Sequence, residues 1–386
     1  MDYIIIGNGV AGTEAAITIR KNDSEGRIKI ISESPGLFYY RPKIIDLLEN
    51  KTTVEKMTIY KDDFYKTRKI ECLTGSKVIS INPGENYVKL DSDQISYDKL
   101  LLATGANCFV PPINGAEKNG VFTLRSTEDA HAIKEYCKEI KTVLFIGGGL
   151  LGLETACSLL KENQKGIVVE FFPRLLPRQL DDQGGEFLKK KIEDTRDLRF
   201  ILNDSVADIK GDNSVTGVIL KSGEEIACQA VIISAGVRSR VELALEAGIN
   251  VDRGILVNDY LETSEKNIYC AGDASNHNGR TYGLWMPSKE QGRHAGLNMS
   301  GIKTKYNGSV VSAKLKVSGM DMFSAGFTED SGYIERSANN TDYYLKLFMN
   351  EGKPEGLIAI GKKNVVDHAE KCSLGRADYS ELEKYL

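Results

Sequence analysis

Paired cysteines, clustered histidines and long apolar runs are absent from this chain, and each absence excludes something. Its seven cysteines, at 72, 108, 137, 157, 228, 270 and 372, are odd in number, widely spaced and without a Cys-x-x-Cys. They do not form a disulfide framework pattern. Most sit inside apolar stretches, Cys157 in a predicted helix and Cys270 in a predicted strand, and are expected to be buried free thiols. The four histidines, 131, 277, 294 and 368, lack metal-ligand spacing, which argues against a zinc site. No stretch approaches the roughly 18 consecutive apolar residues of a membrane-spanning helix. The 50 Lys and Arg are outnumbered by 54 Asp and Glu, a net charge of −4. The dense basic surface that nucleic acid or an anionic membrane requires is therefore missing. The chain opens on Met-Asp-Tyr-Ile-Ile-Ile, a strand pattern with no basic region, which predicts no signal peptide and a cytoplasmic protein.

What the chain does have is glycine, 37 residues of it in 386, and an internal repeat. That length suggests two or three domains. Residues 2–33, DYIIIGNGVAGTEAAITIRKNDSEGRIKIISE, read as apolar run, glycine cluster, helical stretch, second apolar run, acid. Residues 142–170, TVLFIGGGLLGLETACSLLKENQKGIVVE, read the same way. Each is a βαβ pattern, so the fold class is α/β, with doubly wound parallel sheets covered by helices on both faces. Two such units in one chain predict two dinucleotide-binding domains.

Each unit carries the full glycine fingerprint between strand and helix. In the first, Gly7 allows the tight turn, Gly9 lets backbone approach a pyrophosphate, and Gly12 lets helix and strand pack closely. The pyrophosphate would sit on the helix N-terminus, where unpaired N–H groups favour anions. Glu33 lies about twenty residues past Gly12, placed to accept hydrogen bonds from a ribose. Gly147, Gly149 and Gly152 repeat the set, with Glu170 as the terminal acid. A carboxylate there pairs with a 2′-hydroxyl and repels a 2′-phosphate, so NADH is expected over NADPH. Arg174 and Arg178 stand nearby and pull the other way. The run Lys189-Lys190-Lys191 reads as a solvated helix face rather than a docking patch.

Further segments carry a resemblance: YYRP (39–42), LLLATGA (100–106), VFTLRSTEDA (121–130), IGGGLLGLE (146–154), LLPRQLD (175–181), IISAGV (232–237), IYCAGDA (268–274) and LKVSGMDMFSAG (315–326). Through about residue 361 the chain resembles the two-dinucleotide-binding-domain flavoprotein oxidoreductases. Within them it is most similar to the rubredoxin reductase branch, of the clostridial NADH:rubredoxin oxidoreductase type. The flavoprotein module of assimilatory nitrite reductase and the NADH oxidases are close relatives of that branch. The resemblance implies two Rossmann-like domains, for FAD and NAD, plus a small α+β C-terminal domain that in the family covers the flavin and sometimes dimerises. It places the FAD domain at 1–109 and 236–307, the NAD domain at 110–235, and the interface-like domain at 308–386.

Residue by residue, the resemblance implies that Gly7, Asn8, Gly9, Val10, Ala11 and Gly12 cradle the FAD diphosphate. Glu33, with Ser34 beside it, would bind the adenosine ribose, and the backbone at Val78 would face adenine. Arg41 and Pro42 would lie along the diphosphate and flavin, and Ala103, Thr104 and Gly105 would return beneath the diphosphate. Gly272 and Asp273 would hold a ribityl hydroxyl; Asp273 could alternatively cap the next helix. Arg125 and Glu154 would flank the flavin where nicotinamide stacks, and Trp285 and Lys316 would lie near the isoalloxazine. Surface or core roles compete for each: a solvated helix position for Glu154, a surface ion pair for Arg125, packing for Trp285. The NAD site would comprise Gly147, Gly149, Leu150, Leu151, Gly152, Glu154, Glu170 and Gly236.

The chemistry expected is hydride transfer from NADH to FAD, in which the protein supplies position and electrostatics. No covalent or acid–base side chain is required for it. A cation such as Lys316, or a helix N-terminus, would stabilise the reduced anionic flavin. Disulfide reductases of this superfamily carry a Cys-x₄-Cys pair in the first helix; this chain has Gly12-Thr13-Glu14-Ala15-Ala16 there. Others carry one redox cysteine soon after the ribose-binding acid, and residues 34–50, SPGLFYYRPKIIDLLEN, hold none. Electrons are therefore expected to leave the flavin directly for an external one-electron acceptor such as rubredoxin. An NADH oxidase reducing oxygen, a nitrite-reductase-like module and a redox-sensing interaction protein remain alternatives, and monomer and homodimer both remain open.

Overall fold

In a computed structural model, residues 1–91, 93–317, 319–326, 328 and 333–386 are described. The chain forms two compact units. The first comprises Met1–Lys43, Thr52–Asn107 and Val237–Ser309; the second comprises Ile44–Lys51, Cys108–Gly236 and Val310–Leu386.

The first unit is built on β1 (Asp2–Ile6), α1 (Val10–Asn22) and β2 (Arg27–Ser32). Its five-stranded sheet runs Ile268–Cys270, Lys99–Leu102, β1, β2, Ile70–Thr74, and every pairing is parallel. The apolar run of β1 is buried on both faces, as parallel sheets require. Tyr3 and Ile5 pack with Ala15, Ile19 and Ala295 on one side. Ile4 and Ile6 pack with Val78, Ile81 and Val88 on the other. Each fully buried isoleucine contributes about 1.5–3 kcal/mol, so the glycine turn that follows β1 is anchored to a stiff strand.

The second unit repeats the motif with β3 (Thr142–Ile146), α2 (Leu150–Leu159) and β4 (Lys165–Glu170). Its parallel sheet runs Leu198–Leu202, β4, β3, Ala230–Ile233, Val121–Thr123. The same unit contains a five-stranded antiparallel sheet, in the order Ser312–Val317, Met320–Gly326, Lys353–Gly361, Tyr343–Asn350, Ile334–Asn339. The helix Lys363–Ser373 lays Val365, Val366, Ala369 and Cys372 against Phe323, Leu345, Leu347 and Leu357 of that sheet. The fold is thus α/β with two Rossmann-like sheets and an α+β C-terminal part. Among the described residues no helix is long and apolar enough to cross a membrane.

Candidate functional site

The two glycine turns superimpose in their chemistry. Gly7 N–H donates to Ile31 carbonyl at 2.8 Å, and Gly147 N–H donates to Val169 carbonyl at 2.8 Å. Gly7 has φ +118° and Gly147 φ +110°, a region in which side-chain-bearing residues are strained. A Cβ on Gly12 would lie 2.0 Å from the Gly7 carbonyl oxygen, and one on Gly152 2.1 Å from that of Gly147. Close helix–strand packing leaves no room for it. Gly9 and Gly149, by contrast, face open space and cap α1 and α2 without any side-chain hydrogen bond. The first N–H groups of both helices are therefore available to an anion. Val10 and Ala11 begin α1, and Leu150 and Leu151 begin α2.

Around the first turn the fold gathers three distant segments. A Cβ on Gly7 would stand 2.1 Å from the Ala103 carbonyl oxygen, so Ala103, Thr104 and Gly105 press against the turn. Thr104 Oγ1 donates to the Arg240 carbonyl at 2.9 Å, and Arg240 N–H returns a bond to the Gly105 carbonyl at 2.9 Å. Gly272 packs on Ala11, where a Cβ would meet the Ala11 Cβ at 2.9 Å. The Asp273 carboxylate accepts from Ser288 Oγ at 3.0 Å, and Gln291 Oε1 accepts the Gly272 N–H at 2.8 Å. Asn8 Oδ1 accepts from Thr13 and Tyr65, but its Nδ2 is buried with no protein partner among the described residues. An orphaned donor beside an open helix N-terminus suits a phosphate oxygen.

At the far edge of this unit Glu33 is exposed, pairing with Arg240 at 3.1 Å and Lys77 at 3.6 Å. The Ser34 carbonyl accepts the Gly75 N–H, and Val78 is buried in the strand that follows. Arg41 lies over the Tyr39 ring in a short turn that includes exposed Pro42. Trp285 begins the helix Trp285–Met299, stacked on Phe38 at 5.6 Å and edge-on to Tyr40 at 4.7 Å.

Arg125, Glu154 and Lys316 fall in the second unit. The Arg125 N–H donates to Asp129 Oδ2 at 2.8 Å, ahead of the helix Thr127–Tyr136. Lys316 is on the exposed face of its strand, and Ser318 of the same motif lies outside the described residues. Glu154 is half-buried on α2; burial, reinforced by the nearby Asp46 charge, pushes its carboxyl up to about 7. Glu170 is only 6% exposed. Its Oε2 accepts the Gly148 N–H at 2.6 Å and its Oε1 the Phe172 N–H at 2.8 Å. Gly236 has φ +101° and its carbonyl accepts the Phe109 N–H at 2.9 Å.

Residues absent from the sequence reading support these candidates. Ser288 and Gln291 hold the Gly272-Asp273 turn, Arg240 neutralises Glu33, and Asp46 faces Glu154. Only Arg240 left a trace in sequence, as a basic residue just past IISAGV.

Two parallel sheets, each with an uncapped helix behind a glycine turn and an acid at the next strand end, define the architecture of a protein that binds two dinucleotides. The chain belongs to the pyridine nucleotide-disulphide oxidoreductase family, whose model matches residues 1–292, and residues 312–372 match the rubredoxin NAD+ reductase C-terminal domain. Both glycine turns fit a dinucleotide. It is 34% identical to a nitrite reductase [NAD(P)H] of Bacillus subtilis over 99% of this chain and 48% of that one. It is 32% identical to an NADH-rubredoxin oxidoreductase of Clostridium acetobutylicum, covering 93% of this chain and 90% of that one. The solved structure of NADH:rubredoxin oxidoreductase from the same organism aligns with TM-score 0.81 at 28% identity, covering 100% and 99%. The chain spans about half the length of the nitrite and nitrate reductase relatives it matches. The resemblance to the rubredoxin reductase branch is borne out.

Proposed function

We propose that this chain is an FAD-dependent NADH:rubredoxin oxidoreductase that passes single electrons directly to a rubredoxin-type carrier without a redox cysteine. The observation that carries the reading is the state of the thiols. None of the seven is in a disulfide, and five of them are buried. Burial pushes Cys72 up to about 11 and Cys137 and Cys228 to about 12, so none of these three is a thiolate at neutral pH. None lies in either glycine turn. FAD held at the first turn would supply the chemistry for taking two electrons from NADH and releasing them singly.

On this reading Gly7, Asn8, Gly9, Val10, Ala11 and Gly12 hold the FAD diphosphate on the α1 N-terminus, with Ala103, Thr104 and Gly105 beneath it. Asp273, oriented by Ser288, accepts the ribityl hydroxyl, and Glu33 takes the ribose. Arg41, Pro42, Val78, Ser34 and Trp285 complete the FAD side, and Arg125, Glu154 and Lys316 tune the flavin. Gly147, Gly149, Leu150, Leu151, Gly152, Glu170 and Gly236 hold NADH. The FAD domain is 1–109 and 236–307, the NAD domain 110–235, and the C-terminal domain 308–386. The protein acts in the cytoplasm as a monomer or homodimer.

Turnover in oxygen-free buffer with NADH and rubredoxin tests the proposal. Rubredoxin reduction faster than flavin reoxidation in air supports it; activity with oxygen alone favours an NADH oxidase. The length of the nitrite reductase relatives favours a second reading, in which this chain is the electron-entry module for a separate partner.

A further inference from the structure

A buried charged cluster ties the C-terminal sheet to the second glycine turn, within one unit. Lys346 and Asp181 are each 3% exposed, and Lys346 Nζ stands 2.8 Å from Asp181 Oδ2. Tyr344, two residues earlier on the same strand face, donates its hydroxyl to the same oxygen at 2.7 Å. The other oxygen, Asp181 Oδ1, accepts the Gly184 N–H at 2.9 Å and so caps the helix Asp182–Glu193. Lys346 also meets Glu335 at 3.0 Å. Every lone-pair direction of Asp181 that the cluster uses is thus filled, which a buried carboxylate needs.

Asp181 ends a turn that reaches the nucleotide site. Leu176 is fully buried yet has φ +49°, a conformation a leucine holds only when its surroundings impose it. The Leu176 carbonyl accepts the N–H groups of Gln179 and Leu180, at 2.8 and 2.9 Å, while its own N–H donates to the Gly148 carbonyl at 3.0 Å. Arg174 laces the turn, donating to the Leu180 carbonyl at 3.0 Å and to Asp182 at 2.9 Å. Gly148 is therefore gripped from both sides, its N–H by Glu170 and its carbonyl by Leu176.

We propose that Lys346 and Tyr344 are positioning residues for NADH: through Asp181 and the strained 174–181 turn, they set the peptide orientation of Gly148 in the pyrophosphate-binding turn. The C-terminal sheet then governs coenzyme affinity without touching the coenzyme. This rests on assigning the second glycine turn to NADH. Removing the Lys346 charge loosens Asp181, lets Leu176 relax from its imposed conformation, and frees the Gly148 carbonyl to rotate.

The test uses full-length holoprotein variants Lys346→Met, Lys346→Arg and Tyr344→Phe. NADH affinity is measured by direct binding, and KM and kcat with ferricyanide as acceptor. Lys346→Met is expected to raise both the NADH dissociation constant and KM about tenfold, with kcat at saturation and bound FAD unchanged. Lys346→Arg recovers most of the affinity. Should Lys346→Met not fold, Tyr344→Phe, which deletes one hydrogen bond, decides the matter with an expected rise of about threefold. Unaltered NADH affinity in the folded variants, whatever their melting temperatures, overturns the proposal. Failure of the unmodified protein to bind NADH overturns the coenzyme assignment instead.

Discussion

The Glu170 carboxylate accepts the Gly148 N–H at 2.6 Å, a buried charge-assisted bond inside the second glycine turn. Its counterpart Glu33 reaches no glycine turn and pairs with Arg240 on the surface. Two acids at equivalent strand ends thus do different work: one braces the turn, the other is exposed and charge-compensated.

Glu170→Ala is expected to remove that brace and the repulsion of a 2′-phosphate together. Loss of a charge-assisted hydrogen bond costs about 1.5–3 kcal/mol, so NADH KM should rise at least tenfold while the preference over NADPH narrows. Initial rates with both coenzymes check this, and an undiminished preference would contradict the role.

The glycines of the first turn should separate folding from cofactor binding. Gly12→Ala drives a Cβ into the Gly7 carbonyl and should lower stability by about 1–3 kcal/mol along with flavin content. Gly9→Ala adds a methyl to open space, so the apoprotein should melt normally while FAD binds weakly. Melting curves and flavin-to-protein absorbance ratios distinguish the two.

Glu154 supplies a pH dependence. Its carboxyl is raised to about 7 by burial and then by Asp46, so the folded state holds the proton more tightly than the unfolded chain. The unfolded chain loses its proton first as pH rises, near the ordinary value of 4.5. Stability contributed by the protonated group is complete below that value and is lost progressively up to about pH 7. The loss is on the order of 3 kcal/mol. Glu154→Gln should abolish it, so denaturant melts of the two proteins should diverge between pH 4.5 and about 7, the window set by the two values. Parallel curves would show that Glu154 is not buried in this way.

Thiol chemistry should be dispensable. With Cys72 raised to about 11 and five other cysteines buried, brief treatment of the native protein with N-ethylmaleimide should leave NADH-dependent turnover intact. Inactivation that tracks modification of one cysteine would reveal a thiol relay.

Much of this was legible in sequence because its signals are local. Continuous apolar runs in 3–6 and 143–146, glycines at fixed spacing and an acid at the next strand end all act within one βαβ unit. What sequence hid depends on tertiary partners. In YYLKLFMN the lysine reads as a solvent-facing residue, yet Lys346 is buried because Asp181, far away in sequence, neutralises it. Nothing in LLPRQLD announces a left-handed leucine, since the side chain does not favour it and only the surrounding bonds hold it there. The opposite settings of Glu33 and Glu170 likewise follow from Arg240, Lys77 and the Gly148 N–H, none of which spacing alone could assign.

The most direct test of the account is a rapid-mixing experiment without oxygen. Purified protein is first bleached by one equivalent of NADH, then mixed with oxidised rubredoxin while flavin and carrier absorbance are followed together. Return of the yellow flavin band in step with carrier reduction, in two one-electron phases and with alkylated as well as native protein, is predicted. A colourless protein, or a flavin that stays reduced in the presence of rubredoxin, would contradict it.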